Sequence, residues 1–153
     1  MKPITLARIA IIAALYVALT YALQAVSFLP TQFRAAEALT VLPILYPEAV
    51  WGVFLGCLLA NLMSPAGLID VVVGSLTTLL AAYVTYYFRR SIIAYLSPIV
   101  LNAFIISTYL HVLARLPYWA TVLSIGASEA VVVFGLGYPL IWYLKRRTAG
   151  DGR

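Results

Sequence analysis

The sequence predicts an all-α membrane protein, a compact bundle of six transmembrane helices. Three observations carry that prediction. Of the 153 residues, 64% are apolar and 10% are charged, whereas soluble domains run nearer half apolar and a quarter charged. Apolar runs of membrane-crossing length recur along the chain, punctuated by short clusters of proline, glycine and charge. The basic residues gather at run ends, densely at alternate ends and sparsely at the others. The length suits one bundle with no separate soluble domain: residues 1–147 as the transmembrane unit and 148–153 as a short polar tail.

The first run, Ile4 to Leu29, follows Lys2 and Arg8. It is too long for the apolar core of a signal peptide, so it is expected to be an uncleaved first helix that crosses with tilt. Ala10, Ala14, Ala18 and Ala22 recur on it every four residues, a stripe smooth enough for another helix to approach closely. Pro30 is expected to end this helix, with a loop to Arg34. Ala35 to Tyr46 is apolar but short, with Pro43 inside and Pro47 after it, and reads as a short or broken span. Glu48 to Met63 follows, with Gly52, Gly56 and Ala60 spaced for close packing. Asn61 to Gly67 is a turn cluster. Leu68 to Phe88 is the fourth span, and Asp70 in its first turn suits a helix N-terminus. Arg89 and Arg90 end it. Ser91 to Leu113 is the fifth, and Tyr118 to Leu144 the sixth, closed by Lys145, Arg146 and Arg147. The remainder, from Thr148, is expected to be a mobile tail.

The formal charge of +5 comes from these clustered cations and reads as membrane orientation, not nucleic-acid binding. With both termini in the cytoplasm of a cell-membrane protein, Lys2, Arg8, Arg89, Arg90 and Lys145 to Arg147 fall inside, and Arg34 and Arg115 outside. No Gly-x-x-x-x-Gly-Lys-Ser/Thr loop is present, so the chain does not itself hydrolyse ATP. A single His111 and a single Cys57 give no metal site and no internal disulfide. No serine is paired with a base in a recognisable motif, so no enzyme, cofactor or metal is expected.

What remains is a set of separated polar groups in apolar surroundings, where such groups usually have a function. Arg34 and Glu37, three residues apart, would share one helical face; their plain alternative is an interfacial ion pair. Asn61 and Asp70 lie at the same outer side, and Asp70 divides between helix capping and ligand contact. Asn102 and Glu129 each lie about eleven residues from a helix end, roughly 16 Å deep, and are expected to face each other. Their plain alternative is a structural hydrogen bond between helices.

Phe33-Arg34-Ala35-Ala36-Glu37-Ala38-Leu39-Thr40-Val41-Leu42-Pro43, then Gly52 to Gly56-Cys57, Ala60-Asn61-Leu62, Ser64-Pro65 and Gly67-Leu68-Ile69-Asp70 to Gly74-Ser75-Leu76, closely resembles the QueT family of queuosine-precursor transporters. These are substrate-binding S components of energy-coupling factor (ECF) importers. The resemblance is densest from Phe33 to Leu80. It departs from the family where Ala36 replaces a frequent serine, which removes one hydroxyl contact. It implies an S-component-like six-helix bundle that takes a deazaguanine base from outside. It also implies docking on a transmembrane coupling subunit with two cytoplasmic ATPases, through an Ala-x-x-x-Ala stripe that Ala10, Ala14 and Ala18 match. The substrate-binding residues it suggests are Arg34, Glu37, Asn61, Asp70, Asn102 and Glu129, with Phe33 or Trp119 as stacking faces. A guanine-like edge offers two neighbouring N–H donors, which suit a carboxylate, and a carbonyl acceptor, which suits Asn or Arg. Two other readings stay open: an S component for another vitamin-like solute, and a stand-alone transporter with Glu129 as a proton site.

Overall fold

The computed structural model describes residues 2–27 and 33–150. The expected stop at Pro30, the preceding Leu29 and the last three residues of the tail lie outside the described residues. Helix α1 (Pro3–Ala22) starts with proline at its first position, where the missing N–H costs nothing. It ends earlier than Leu29, because Leu23 leaves the helical region at φ −113°, ψ 25°. A single turn, α2 (Gln24–Ser27), follows.

The short span after Arg34 is not an interrupted α-helix. Ala35–Ile44 winds as a continuous 3₁₀ helix with all ten residues buried. The geometry has a purpose. At about 2.0 Å per residue ten residues reach about 20 Å, where an α-helix would reach about 15 Å. Pro43 lacks an N–H, and Thr40 Oγ1 donates to the Glu37 carbonyl at 2.6 Å, so the backbone is partly served by a side chain. Such long 3₁₀ runs are uncommon because their hydrogen bonds are poorer. Here the segment touches α1 and every later long helix; it is the central strut of the bundle.

Helix α3 (Ala49–Asn61) packs against α1 through its glycines. A Cβ on Gly52 would stand 2.8 Å from Ile12 Cβ, and one on Gly56 2.6 Å from Tyr16 Cβ. The expected close-packing role of these positions is met. A turn through Gly67, at φ 68°, leads to a π-helical turn, Asp70–Gly74, that runs into α4 (Ser75–Tyr87). Helix α5 (Ile93–Ala114) turns back, ending where Arg115 adopts φ 52°. Helix α6 (Tyr118–Val132) continues through a second π-helical turn, Val133–Gly137, into α7 (Tyr138–Gly150). The sixth helix thus carries on past Leu144, and Thr148 Oγ1 donates to Leu144 O at 3.0 Å; the start of the expected tail is helical.

Contacts at the two rims fix the order of ascent and descent. At one rim Arg8 Nη1 meets Glu48 Oε1 at 2.8 Å, and Thr85 Oγ1 donates to Ala94 O at 2.9 Å. At the other, Arg34 bonds Asn61 and Asp70, and Tyr109 bonds Asp70. Ala35–Ile44, α3 and α4 therefore each run from rim to rim. Among the described residues, Lys2, Arg8, Arg89, Arg90 and Lys145–Arg147 lie toward the first rim, and Arg34 and Arg115 toward the second. Three helical stretches are long and apolar enough to cross a membrane, Pro3–Ala22, Ile93–Ala114 and Tyr118–Thr148. The outward faces carry large apolar residues such as Ile11, Trp51, Leu80, Phe104 and Leu123, as a lipid-facing surface requires.

Candidate functional site

The polar candidates fall into two groups, both enclosed by the bundle. Arg34, Asn61 and Asp70 form the first, at the second rim. Arg34 is the extended residue that caps the 3₁₀ segment, and its guanidinium turns inward. Nη2 donates to Asp70 Oδ2 and Nη1 to Asn61 Oδ1, each at 2.9 Å. Nε reaches the Ser27 carbonyl at 3.4 Å. Asn61 Nδ2 donates to the Asp70 carbonyl at 2.9 Å. Ser64 Oγ donates to Asp70 Oδ2 at 2.5 Å, and the Tyr109 hydroxyl donates to Oδ1. Arg34, Asn61 and Asp70 are all at least 97% buried.

One expectation is corrected. Arg34 and Glu37 do not share a helical face, because Arg34 is the extended residue before the helix and Glu37 lies within it; Arg34 bonds Asp70, far along the chain, and the Glu37 carboxylate accepts from a tyrosine. Asp70 stands in the first turn of its helix. Both its oxygens are taken, by three donors of which one is the Arg34 guanidinium. Gly74 makes room for it: a Cβ there would lie 2.8 Å from Asp70 Oδ1 and 3.0 Å from Asn61 Nδ2.

The second group lies deeper. The Tyr16 hydroxyl, from the middle of α1, donates to Glu37 Oε1. Asn102 Nδ2 on α5 donates to Glu129 Oε1 on α6 at 3.0 Å, so those two face each other as their depths suggested. The Ala35–Ile44 segment that carries Glu37 packs against both α5 and α6. Four buried oxygens in the bundle have no hydrogen-bond partner among the described residues: Glu37 Oε2, Asn102 Oδ1, Glu129 Oε2 and Ser107 Oγ. Leaving such groups unpaired costs about 1–3 kcal/mol each, more for a charged one. Buried polar groups left so are rare in folded proteins, and each calls for an explanation.

Several groups escaped the sequence reading. Tyr16, Ser64 and Tyr109 all bond into these groups. A tyrosine mid-helix in an apolar run was the available signal, since a buried phenol seeks a partner. Trp119, suggested as a stacking face, is 69% exposed; Phe33 is half-buried at the rim. Cys57 is the buried small residue expected, accepting from Asn61 Nδ2 and Thr78 Oγ1 at 3.3 Å. His111 stays at the rim, its Nδ1 2.6 Å from Leu116 O. Among the described residues no group of His, Cys, Asp and Glu could hold a metal ion. An apolar groove beside Val50, Trp51, Leu76, Leu80 and Tyr83 shares no residue with either polar group. On α1, the inward face is Ile9, Ile12, Ala13, Tyr16 and Thr20, which leaves Ala10, Ala14, Ala18 and Ala22 exposed on the outer face.

Comparison with known proteins agrees with a multi-pass helical membrane protein. The profile of a family described as "QueT transporter" matches residues 6–146. A curated relative, "Queuosine precursor transporter QueT" of Lactococcus lactis subsp. cremoris (strain MG1363), is 40% identical over 80 residues, 51% of this chain. The matched stretch spans 47% of that relative, about half its length. No solved structure matches.

Proposed function

Because the chain belongs to the QueT transporter family, a family of multi-pass membrane proteins, we propose that it binds a queuosine precursor, a deazaguanine base, from the outer side and serves as the S component of an ECF importer. The observation that carries this reading is the deep cluster of Glu37, Asn102 and Glu129 with its unpartnered oxygens. A guanine-like edge carries adjacent N–H donors, and a dry carboxylate accepting two of them is a strong, charge-assisted contact. Glu37 is our choice for that edge. Its Oε1 is oriented by Tyr16, and it sits on the rigid strut nearest the rim through which a ligand arrives. Asn102, held by Glu129, supports the second side. Arg34, Asn61 and Asp70 act on the ligand indirectly, by fixing the mouth above it and by lending positive potential from Arg34.

In this reading all six helical segments cross the bilayer, with both termini in the cytoplasm. That places the arginine- and lysine-rich rim inside, as the positive-inside rule asks. The energy for transport comes from cytoplasmic ATPases through a transmembrane coupling subunit. The exposed Ala10, Ala14 and Ala18 are the docking stripe, since small residues let a partner helix approach closely in lipid. The experiment is co-expression with a tagged coupling subunit. The parent chain should co-purify with it and carry a deazaguanine identifiable by mass spectrometry. Ala14→Phe should lose the partner and keep the ligand. Full assembly of Ala14→Phe would remove the docking stripe, and a co-purified solute without a purine-like ring would remove the substrate class.

A further inference from the structure

Two features of the outer surface meet at the basic rim, and neither belongs to the internal polar groups. The first is an apolar groove of about 490 Å³ between the start of α3 (Val50, Trp51) and the length of α4 (Leu76, Leu80, Tyr83, Tyr86). From Leu76 to Tyr86 it runs about 15 Å along the helix, half of a hydrocarbon core about 30 Å thick. It therefore occupies one leaflet, on the side of the basic rim. The second is a concavity of about 480 Å³ in the turn that follows α4, lined by Tyr87, Phe88, Arg89, Arg90 and Ser91. One ring joins the two. Tyr86 walls the groove, and the Arg89 guanidinium lies over its face, 5.3 Å from the centroid, within cation–π range.

Arg89 and Arg90 are exposed, and the ion pairs of the described residues, Arg8–Glu48 and Arg34–Asp70, involve neither. Glu48 follows Pro47 of the groove wall, but its carboxylate is held by Arg8 at 2.8 Å. The mouth of the groove thus carries positive charge with nothing to match it. The walls decide what kind of apolar body fits. Helices approach closely in lipid where small residues line the contact. The glycines of α3 are turned the other way, Gly52 against Ile12 and Gly56 against Tyr16, and the groove is walled chiefly by leucine, tyrosine and tryptophan. A partner helix would also need the full thickness of the membrane. A single acyl chain needs one leaflet.

We propose that the groove and the turn beside it hold one anionic phospholipid, with an acyl chain between α3 and α4 and its phosphate on Arg89 and Arg90. A phosphate diester supplies the missing charge, and guanidinium groups take phosphate oxygens in pairs. Basic pockets between membrane helices bind anionic head groups on the same grounds. A zwitterionic lipid brings a phosphate too, but its own ammonium cancels the charge that the arginines would meet.

The test reads the groove through Trp51, which lines it. In a Trp119→Phe, Trp142→Phe background Trp51 is the one tryptophan left. The full chain is placed in phosphatidylcholine vesicles at about 0.15 M salt, where exposed charges farther off than about 8 Å are screened. Phosphatidylglycerol or phosphatidylcholine, brominated near the head-group end of one chain, is titrated in, and quenching of Trp51 gives the relative affinity. Each arginine near an anionic lipid is worth about fivefold, so phosphatidylglycerol should be preferred by at least about fivefold and up to about 30-fold. Arg89→Gln with Arg90→Gln should reduce the preference to about twofold or less. Arg146→Gln with Arg147→Gln, on α7 and outside the groove walls, should leave it standing. Equal quenching by the two lipids overturns the proposal, as does a preference that survives loss of Arg89 and Arg90. A preference lost equally with Arg146 and Arg147 reports only a general surface potential and overturns the local site. Quenching by neither lipid shows the groove closed to acyl chains and overturns it too. Thermal melting checks the fold of each variant; should the Arg89 and Arg90 pair not fold, Arg89→Gln alone should lower the preference by at least about twofold, and no change would overturn the assignment.

Discussion

Replacing Asp70 with asparagine tests whether the outer polar group is a structural tie or only a helix cap. The carboxylate accepts from Tyr109 on Oδ1 and from both Arg34 and Ser64 on Oδ2. Whichever way an asparagine amide turns, its NH₂ faces one of these donors, and the Arg34 charge loses its counter-charge. Breaking a buried ion pair by changing one partner costs about 3–5 kcal/mol. For a chain of this size each kcal/mol moves the melting point by about 2–4 °C, so Asp70→Asn should melt roughly 6–20 °C lower. Loss of a capping carboxylate alone would cost about 0.5–2 kcal/mol, or about 1–8 °C, so the double variant below separates the two where the ranges meet. The assay is thermal melting of detergent-purified protein followed by intrinsic fluorescence, on Asp70→Asn, Arg34→Met and the double variant. The double should lose much less than the sum of the singles, with a coupling of about 2 kcal/mol or more. A melting point for Asp70→Asn within about 2 °C of the parent, or losses that simply add, would refute the tie.

Glu37→Gln replaces an acceptor with a donor that meets the ligand's own donors; deazaguanine affinity should fall by about 30- to several-thousand-fold in titration while the fold is kept. Binding within twofold of the parent would exclude Glu37 as a direct contact. Gly56→Ala places a Cβ 2.6 Å from Tyr16 Cβ and 3.0 Å from the Ala13 carbonyl, so α1 must move; it should lower stability by about 1–3 kcal/mol and, by displacing Tyr16 from Glu37, weaken ligand binding too. A variant that melts lower yet binds normally would separate Tyr16 from the site. The Arg8 guanidinium holds the Glu48 carboxyl, which lies between spans, below its ordinary value by hydrogen bonding. A carboxylate lowered in the folded state adds stability above its unfolded pKa and loses it as pH falls through the folded value. The melting-point gap between the parent and Glu48→Gln should therefore be small but present at neutral pH and close in acid; a gap that widens on acidification would contradict the sign.

The helical class was legible because composition and charge placement report on solvent, and a membrane constrains both strongly. Hence the long helices α1, α5 and the α6–α7 rod lie close to where their apolar runs do. The winding of Ala35–Ile44 was not legible. Its ten apolar residues satisfy either helix type, and the choice is made by tertiary enclosure and by the distance to be covered. The same missing information explains why Arg34 and Glu37 do not share the expected helical face. Spacing of three residues implies a shared face only when both residues are helical, and Arg34 is extended at φ −106°, ψ 98°. Asn102 and Glu129 were easier, since depth in two long helices can be counted along the chain. Tyr16 and Tyr109 were hidden by their chemistry: aromatic residues are ordinary in membrane helices, and only the position of the phenol oxygen distinguishes these two.

The first helix measures the central strut at two heights. Arg8 meets Glu48 and Tyr16 meets Glu37, and those two rungs stand about 12 Å apart along α1. Between them the strut has no spare face, for all ten of its helical residues are buried. One residue added or removed between Glu37 and Ile44 would turn the remainder by about 120° and shift it by about 2 Å. No outward side exists to absorb that turn, so one rung or the other would have to be given up. The helical stretch from Glu37 to Ile44 is thus a gauge of set length, open to changes of side chain but closed to changes of count.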